Sequence, residues 1–326
     1  MKTPHERPDI SIDPDQIAEL RANLIAWYGD NARDLPWRRT RDPYRILVSE
    51  VMLQQTQVDR VIPKYFAFLD FFPTFEALAA APTADVIRAW SGLGYNRRAV
   101  NLQRTAQAVV DRFGGEMPSD PYALRDLPGI GPYTAGAIAC FAFEQDVGFF
   151  DTNIRRVLHR VLIGPELPKE RVTTRELQSL ADDLVPEREG YTWNQALMEL
   201  GAVICTARKP VCLTCPLHRH CAAFPAIQTV IATLPKGTRK KKEEPFSGSM
   251  RFYRGRVIEA LRELDDGESL NLQSLGPKVR DDFSDEHLIW LKDVVEGLTR
   301  DGLAQIAEEK ASYDASDVAE ITVRLP

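Results

Sequence analysis

The sequence predicts an all-α fold from three observations. Apolar residues recur at three- and four-residue spacing from about Asp15 to Ala223, which is the period of amphipathic helices. Proline and glycine separate these stretches, for example at Pro73 and at Gly114 and Gly115. No alternating run is long enough to form a central strand. We therefore expect a multi-helix domain over most of the chain.

The composition limits the class of protein. The 326 residues suffice for one large or two ordinary domains, and 44% hydrophobic with 27% charged residues is ordinary globular usage. A disordered or fibrous chain is therefore excluded. No apolar run is long enough for a transmembrane helix, and the first ten residues lack the apolar core of a secretory signal. We expect a cytoplasmic monomer without a membrane partner.

Residues 227–247 are predicted to form a linker, because they show no periodicity. Arg239, Lys240, Lys241 and Lys242 form a basic run within it. Such a run either meets DNA phosphates or is a solvated surface, and the second is more common.

Residues 248–326 form a third region, predicted to be winged-helix-like. Amphipathic helices are predicted over 251–264 and 285–303, the second ended by Gly302, with a shorter segment at 272–279 and a strand near the end. Residues 251–326 carry ten Lys and Arg against seventeen Asp and Glu, so the excess acid behind the net charge of −6 is confined to them. The predicted partner of this domain is either another protein or DNA.

Four of the five cysteines fall within seventeen residues, at Cys205, Cys212, Cys215 and Cys221. A cytosolic chain keeps its thiols reduced, so the spacing indicates a metal site. Four thiolates hold either a zinc ion or an iron–sulfur cluster. The single C-x2-C in a compact loop differs from the paired knuckles of a zinc ribbon. Cys140 is interpreted as a small buried hydrophobe in an apolar helix.

A glycine-rich string, LPGIGPYTAGAI at 127–138, places Gly129 and Gly131 at a tight turn that leads into a helix. Glycine lets the backbone approach a phosphate, and the first amides of a helix donate to anions. The alternative is a plain turn between two helices. A dinucleotide-binding fingerprint is excluded, because no strand precedes the turn and the third glycine is missing.

Two carboxylates are candidates for chemistry. Glu50 borders the apolar stripe of a helical run predicted from Leu47 to Val61, where it faces Gln54. Burial there would favour the protonated form that a general acid needs, although this helix alone favours an ordinary surface glutamate. Asp151 precedes another helical run, where it is predicted to cap the helix and present a fixed carboxylate to a developing positive charge.

Several strings occur in an order that resembles MutY-type adenine DNA glycosylases of the helix-hairpin-helix superfamily. They are LPWR at 35–38, SEVMLQQTQV at 49–58, WSGLGYNRRA at 90–99, the glycine-rich string, FFDTNIRRVL at 149–158 and the cysteine loop. The resemblance covers roughly residues 20–225. It implies a domain over 1–226 with two lobes, a six-helix barrel and a lobe holding a [4Fe-4S] cluster. The implied partner is double-stranded DNA with a mismatched or damaged pair, in the nucleoid of a prokaryotic cell.

The resemblance also implies roles for individual residues. Glu50 matches the catalytic acid, Asp151 the carboxylate that stabilises the oxocarbenium-like sugar, and Asn153 its neighbouring asparagine. The residues matched to DNA contact are Gln54 and Gln55 in the duplex, Thr56, Leu93 and Tyr95 around the opposite guanine, Trp37 and Arg38 at the adenine pocket, and Gly129 and Gly131 at a phosphate. The four clustered cysteines match the cluster ligands.

Tyr133 stands where endonuclease III-like relatives carry a lysine that attacks the sugar. Tyrosine cannot form a Schiff base, so a monofunctional glycosylase is implied. Mismatch thymine glycosylases share this tyrosine, and Glu50 favours adenine as the substrate.

The pattern departs from the family after the cysteine loop. Typical members end in a Nudix-like domain whose Phe-Ser-His loop recognises 8-oxoguanine, whereas Phe246 and Ser247 lie here in the predicted linker and are followed by Gly248. Three hypotheses follow: excision of adenine opposite 8-oxoguanine or guanine, the same chemistry on another base such as mismatched thymine or hypoxanthine, or a non-catalytic iron–sulfur protein that binds DNA.

Overall fold

A computed structural model describes residues 13–167, 170, 172–233, 246–307 and 318–326. Within that part the regular structure is almost entirely helical, which confirms the all-α prediction. The predicted basic run Arg239–Lys242 lies outside the described residues. Among the helices that are described, none has the length and apolar character needed to cross a membrane.

The elements follow one another in a simple order. The helices are α1 (Pro14–Asn31), α2 (Pro43–Leu53), α3 (Val58–Phe71), α4 (Phe75–Ala80), α5 (Thr83–Ala89), α6 (Arg97–Phe113), α7 (Pro121–Arg125), α8 (Pro132–Phe141), α9 (Thr152–Leu162), α10 (Thr174–Asp183), α11 (Gly190–Val203), α12 (Ala226–Thr233), α13 (Met250–Arg262), α14 (Leu272–Val279) and α15 (Leu288–Arg300). Short 3-10 turns lie at Pro36–Arg38, Cys212–Thr214, His218–His220 and Asp285–His287. The strands are β1 (Leu270–Asn271), β2 (Gln305–Ile306) and β3 (Thr322–Arg324).

The chain forms two compact units. The first holds the described residues of Met1–Leu47, Ser119–Asp126 and Ile130–Thr238. Helix α11 contacts α1 and α9 in this unit, and it buries Trp193 and Leu200 completely or nearly so. These apolar contacts hold α9 and the segment that follows α11 in a defined place, which matters because both carry candidate residues.

The second unit holds Val48–Pro118, Leu127–Gly129 and the described residues of Arg239–Pro326. One hydrophobic cluster runs through it and joins Ile87 of α5 and Val100 of α6 to residues of α13, α14 and α15. Arg262 of α13 adds hydrogen bonds from Nε and Nη2 to the carbonyl oxygen of Ile87, at 3.1 and 2.9 Å. The C-terminal helices therefore share a core with α5 and α6.

The C-terminal elements agree with the helices and the final strand expected from the sequence. Strand β3 lies between β1 and β2 in a small antiparallel sheet, with Leu270 opposite Val323. Gly302 ends the helical region with a φ of 73°, a left-handed conformation that glycine adopts without steric cost. The winged-helix assignment stays a prediction, which this order of elements supports.

The structure corrects two expectations about secondary structure. The helical run predicted from Leu47 to Val61 is broken, because α2 ends at Leu53 and α3 begins at Val58. Gln55, with a φ of 56°, turns the chain between them. The start of the predicted linker is also helical, because α12 buries Ile227 against the cysteine loop. Both outcomes depend on contacts distant in sequence, which periodicity does not record.

Candidate functional site

Asp151 caps α9 as the sequence predicts. Its Oδ1 accepts hydrogen bonds from the backbone N–H groups of Asn153 and Ile154, at 2.9 and 2.8 Å. Its Oδ2 accepts a third bond from the side-chain amide of Asn153, at 2.8 Å. The carboxylate is thus fixed by three donors and by the positive end of a helix, which suits a group that stabilises a cation by position and charge.

Asn153 in turn connects Asp151 to the cysteine loop. Its Oδ1 accepts a hydrogen bond from Arg156 Nη2 at 3.0 Å, and Arg156 Nε donates to the carbonyl oxygen of Cys205 at 2.7 Å. Burial lowers the pKa of Arg156. Gly201 faces this network so closely that a Cβ there would lie 3.0 Å from the Cβ of Asn153. The structure therefore brings Asp151, Asn153 and the first clustered cysteine into one hydrogen-bonded network.

All four clustered cysteines line one cavity, together with apolar residues of α9, α11 and α12. Side-chain N–H groups point at two of the sulfurs: Arg160 Nη1 lies 3.6 Å from Cys205 Sγ, and Gln228 Nε2 lies 3.7 Å from Cys212 Sγ. Hydrogen bonds of this kind to ligand sulfurs are typical of iron–sulfur sites. The described residues contain no group of three or more His, Cys, Asp or Glu side chains already arranged around a single ion. The donor set, four sulfurs around one cavity with N–H groups directed at two of them, fits an iron–sulfur cluster.

The surroundings of the cysteines penalise free thiolates. Burial raises the pKa of the Cys215 thiol to about 12, and burial likewise raises the pKa values of Cys205 and Cys221. A bound cation offsets this penalty, because metal ligation requires the deprotonated sulfur. Cys140 is separate from the loop, completely buried in α8, with a pKa raised by burial to about 12. The interpretation of Cys140 as a buried hydrophobe is confirmed.

Trp37 and Arg38 lie on the 3-10 turn after α1. Trp37 is buried, and Arg38 donates to Gln195 Oε1 at 2.8 Å and to Glu199 Oε2 at 2.7 Å. Arg33 also pairs with Glu199, whose side chain is completely buried. A buried carboxylate requires such partners. The structure thus assigns Arg38 a structural contact, and its predicted place at an adenine pocket stays a prediction.

Tyr133 occupies the first turn of α8. Its ring packs edge-on against Phe149, with the two ring centroids 5.6 Å apart. Its hydroxyl lies 4.0 Å from Met198 Sδ. Phe149 in turn fills the space beside Gly136, where a Cβ would lie 2.6 Å from the Phe149 Cβ. Tyr133 is therefore held by the packing of α8 against the segment that leads to Asp151.

The glycine-rich turn links α7 to α8. Gly129 has a φ of 78°, and a Cβ there would lie 2.9 Å from Asn101 Cβ, so glycine is required. Gly131 is the N-cap of α8, with an ordinary φ of −93° and open space within 4 Å of the position that a Cβ would take. Among the described residues, no side chain caps the first turn of α8, whose first N–H groups follow Pro132. Such open amides are suited to binding an anion.

Glu50 belongs to the second unit, whereas Asp151 belongs to the first. Glu50 lies near the end of α2 and is only 5% exposed. The surface glutamate that the helix pattern alone favours is therefore wrong. A buried carboxyl is uncommon unless it has partners or a function, and burial favours its protonated form.

The turn after Glu50 is organised by Arg98 of α6, a residue that the sequence motifs did not single out. Its Nη1 donates to the carbonyl oxygens of Val51 and Met52, at 2.8 and 2.9 Å, and to that of Gln54. Its Nη2 donates to Thr56 Oγ1 at 3.1 Å and to the carbonyl oxygens of Leu93 and Gly94, both at 3.2 Å. One guanidinium thus supplies donors to the orphan carbonyls at the end of α2 and to two loops.

Two non-glycine residues in these loops adopt left-handed backbone conformations. They are Gln55, with a φ of 56°, and Tyr95, with a φ of 45°. Both side chains are exposed. Such strain persists only where the surroundings hold it, and it is concentrated at ligand-binding sites. The hydrogen bonds of Arg98 to both loops stabilise these conformations.

The two loops form one wall of a cavity of about 840 Å³. Gln54, Gln55, Thr56, Leu93 and Tyr95 all line it, so the structure brings together the residues predicted to contact the duplex and the opposite guanine. Phe246 and the N-terminal half of α13 form the other wall. Neither Arg98 nor α13 was expected from the sequence here. The only sequence feature that could have drawn attention to Arg98 is the pair of arginines at 97–98, and that pair does not indicate its long-range partners.

Comparison with known proteins identifies the family. Residues 48–182 match the HhH-GPD superfamily of base excision DNA repair proteins. The chain is 44% identical over 246 residues to the adenine DNA glycosylase of Mycolicibacterium smegmatis, covering 74% of this chain and 79% of that protein. It is 45% identical over 221 residues to the adenine DNA glycosylase of Homo sapiens, covering 65% of this chain and 40% of that protein. The chain thus spans less than half the length of its human relative.

Solved structures agree with this result. The structure of a thermostable thymine-DNA glycosylase superposes with a TM-score of 0.60 at 31% identity, covering 66% of this chain and 97% of that one. The structure of a trapped endonuclease III–DNA covalent intermediate superposes with a TM-score of 0.56 at 23% identity, covering 65% of this chain and 96% of that one. The second likeness shows a shared fold. Since the sequence identity extends over most of the bacterial relative, the chain belongs to the adenine DNA glycosylase family, within the helix-hairpin-helix base excision repair superfamily.

Proposed function

We propose that this protein hydrolyses the N-glycosidic bond of adenine mispaired with 8-oxoguanine or guanine in double-stranded DNA. Membership of the adenine DNA glycosylase family supports the reaction and the base. The burial of Glu50, in a helix whose pattern favours a surface residue, is the observation that carries the catalytic assignment. A monomer in the cytoplasm, associated with the nucleoid, is the form in which we expect it to act.

Glu50 is the general acid of this proposal. Its carboxyl group donates a proton to the adenine ring, and the bond between C1′ and the base nitrogen breaks with its electron pair going to the base. Water then adds to the oxocarbenium-like C1′, and its proton returns to the Glu50 carboxylate. The buried position of Glu50 supports this role, because burial favours the protonated form before the reaction.

Asp151 stabilises the positive charge that develops on the sugar. Its carboxylate is held by Asn153 and by the N-terminus of α9, so it needs no reorganisation as the charge appears. Tyr133 offers no amine for a Schiff base, so the product is an intact abasic site.

DNA contact is proposed for two features. The open amides at the start of α8 receive a backbone phosphate, without reading sequence. Gln55, exposed at the tip of its turn, enters the helix where the adenine leaves the stack. Extrusion costs about a few kcal/mol, and contacts of this kind offset it.

Cys205, Cys212, Cys215 and Cys221 are proposed to hold a [4Fe-4S] cluster. The shared cavity and the N–H groups that point at Cys205 and Cys212 support this assignment. When bound, the cluster would cross-link the loop through its four cysteine ligands. The purified protein should contain iron and acid-labile sulfide at about four of each per chain.

The catalytic assignment is tested by Glu50→Gln in a single-turnover assay on a duplex with adenine opposite 8-oxoguanine, with alkali added to reveal abasic sites. We expect the rate to fall by about 100-fold or more, because the variant has no proton to donate. Glu116→Gln, an exposed glutamate in the second unit, is the matched control and should leave the rate unchanged. Retention of the rate by Glu50→Gln would remove the residue from the reaction.

A second candidate function is removal of mismatched thymine. The thymine-DNA glycosylase structure is 31% identical to this chain, and Tyr133 is compatible with either base. Release of thymine opposite guanine, without release of adenine, would favour this alternative.

A further inference from the structure

The 840 Å³ cavity has a second wall that the sequence assigned to no function. Besides the loops at 54–57 and 93–98, its lining includes Phe246, Arg251 and Arg254 at the beginning of the C-terminal region. All of these residues belong to the second unit. The volume lies in the range of ligand pockets, so the space admits a base.

Arg251 stands between two aromatic rings at this wall. Its Nη1 donates to Tyr95 Oη at 3.0 Å. Its guanidinium carbon lies 5.0 Å from the centroid of the Phe246 ring and 5.6 Å from that of Tyr95. Both rings are about half exposed. Cation–π contacts at these distances orient the guanidinium plane.

The cavity is basic although the C-terminal region is acidic in total. Five arginines line it, and the described lining residues include no Asp or Glu. Asp301 pairs with Arg254 at 2.5 Å and with Arg97 at 3.5 Å, which holds those two side chains at the rim. A guanidinium has N–H donors and no acceptor. A ligand at this wall must therefore present acceptor atoms.

We infer that Arg251 recognises the base opposite the excised adenine by donating to acceptor atoms on a guanine-type base. This inference rests on the proposed function, and it adds a specificity-determining residue from the C-terminal region. Guanine presents O6 and N7 as acceptors, and arginine is the residue that reads them most often. 8-Oxoguanine keeps O6 and gains a carbonyl at C8, but its N7 becomes an N–H donor, so O6 is the acceptor that both bases share. Tyr95 accepts one N–H of Arg251 and so fixes the direction of the others.

Binding provides the test, so that it does not depend on cleavage. The full chain carrying Glu50→Gln is titrated with duplexes that have adenine opposite guanine or opposite 2-aminopurine, which lacks O6 and keeps N7. We expect about tenfold weaker binding to the second duplex, as for the loss of one arginine–guanine contact. Adding Arg251→Ala should bring the ratio of the two dissociation constants close to one.

Two controls locate the effect. Arg256→Ala removes an arginine of the same helix that instead contacts Asp281 and the Lys278 carbonyl oxygen, and it should leave the ratio unchanged. Tyr95→Phe removes the acceptor of the Arg251 hydrogen bond but keeps the ring, and it should retain most of the ratio. Unfolding temperatures of all variants show whether the second unit remains folded.

Several outcomes would overturn the inference. A ratio that survives Arg251→Ala, or equal weakening on both duplexes as for a phosphate contact, excludes recognition of the base by Arg251. If Tyr95→Phe lowers the ratio of the two dissociation constants as much as Arg251→Ala does, Arg251 acts only through Tyr95. Failure of the proposed function is distinguishable, because it appears as absence of adenine release by the unsubstituted protein whatever the binding ratio.

Discussion

Asp151 and Arg98 organise their surroundings over very different ranges of the chain. Asp151 binds the amides of residues two and three positions later, and only its outer partner Arg156 reaches the cysteine loop, at Cys205, 49 positions away. Arg98 binds residues 42 to 47 positions earlier, and Arg251 meets Tyr95 across 156 positions. Local capping therefore fixes the Asp151 carboxylate itself, whereas single arginines that connect distant segments fix the turn after Glu50 and the loop at Tyr95. A substitution of the Asp151 carboxylate should therefore change the chemistry more than the folding, whereas a substitution of Arg98 should change both.

The largest effect is expected for Asp151→Asn. Asparagine caps a helix as well as aspartate, so stability should change little, whereas loss of the charge should lower the single-turnover rate by about 100- to 1000-fold. Asp120→Asn is the matched control, because Asp120 caps α7 through the N–H of Ala123. A rate within about threefold of the original would show that the carboxylate only caps.

Arg98→Ala should have the next largest effect. The variant leaves the carbonyl oxygens of Val51, Met52 and Gln54 without their donor, at a cost of about 3 kcal/mol in the free energy of unfolding. Urea denaturation measures this cost. Arg97→Ala, at the neighbouring and largely exposed position, should cost less than about 1 kcal/mol. Equal costs for the two variants would contradict the role of Arg98.

The two glycines of the hairpin provide a smaller and sharper comparison. Gly129→Ala should destabilise the protein by about 1–2 kcal/mol, because φ is positive and the new Cβ meets Asn101. Gly131→Ala should cost less, about 0.5 kcal/mol, because its backbone is ordinary and the space is open, so that only the poorer N-capping of alanine remains. Thermal unfolding measures the loss of stability in each variant. A larger loss for Gly131→Ala than for Gly129→Ala would contradict the assigned backbone geometry.

Features that depend on neighbours in sequence could be predicted. The Asp151 cap, the left-handed Gly302 and strand β3 all follow from short patterns of residue type. The four cysteines were recognisable for the same reason, because their spacing alone brings them near one another.

Features that depend on distant contacts could not be predicted. Arg98 bonds the turn between α2 and α3 from a distant helix, and the short helix α12 packs Ile227 into the wall of the cysteine cavity. Glu199 is buried only because Arg33 and Arg38 reach it from another part of the chain. Hydrophobic periodicity indicates which face of a helix is apolar, but it does not indicate which distant charged residue will contact that helix.

Single-turnover assays of the unsubstituted protein on four duplexes test the proposed reaction most directly. These duplexes carry adenine opposite 8-oxoguanine, adenine opposite guanine, thymine opposite guanine, and hypoxanthine opposite thymine. We predict release of adenine from the first two duplexes, with strand breaks only after alkali. Release of thymine or hypoxanthine alone, or strand breaks without alkali, would contradict the assignment of a monofunctional adenine glycosylase.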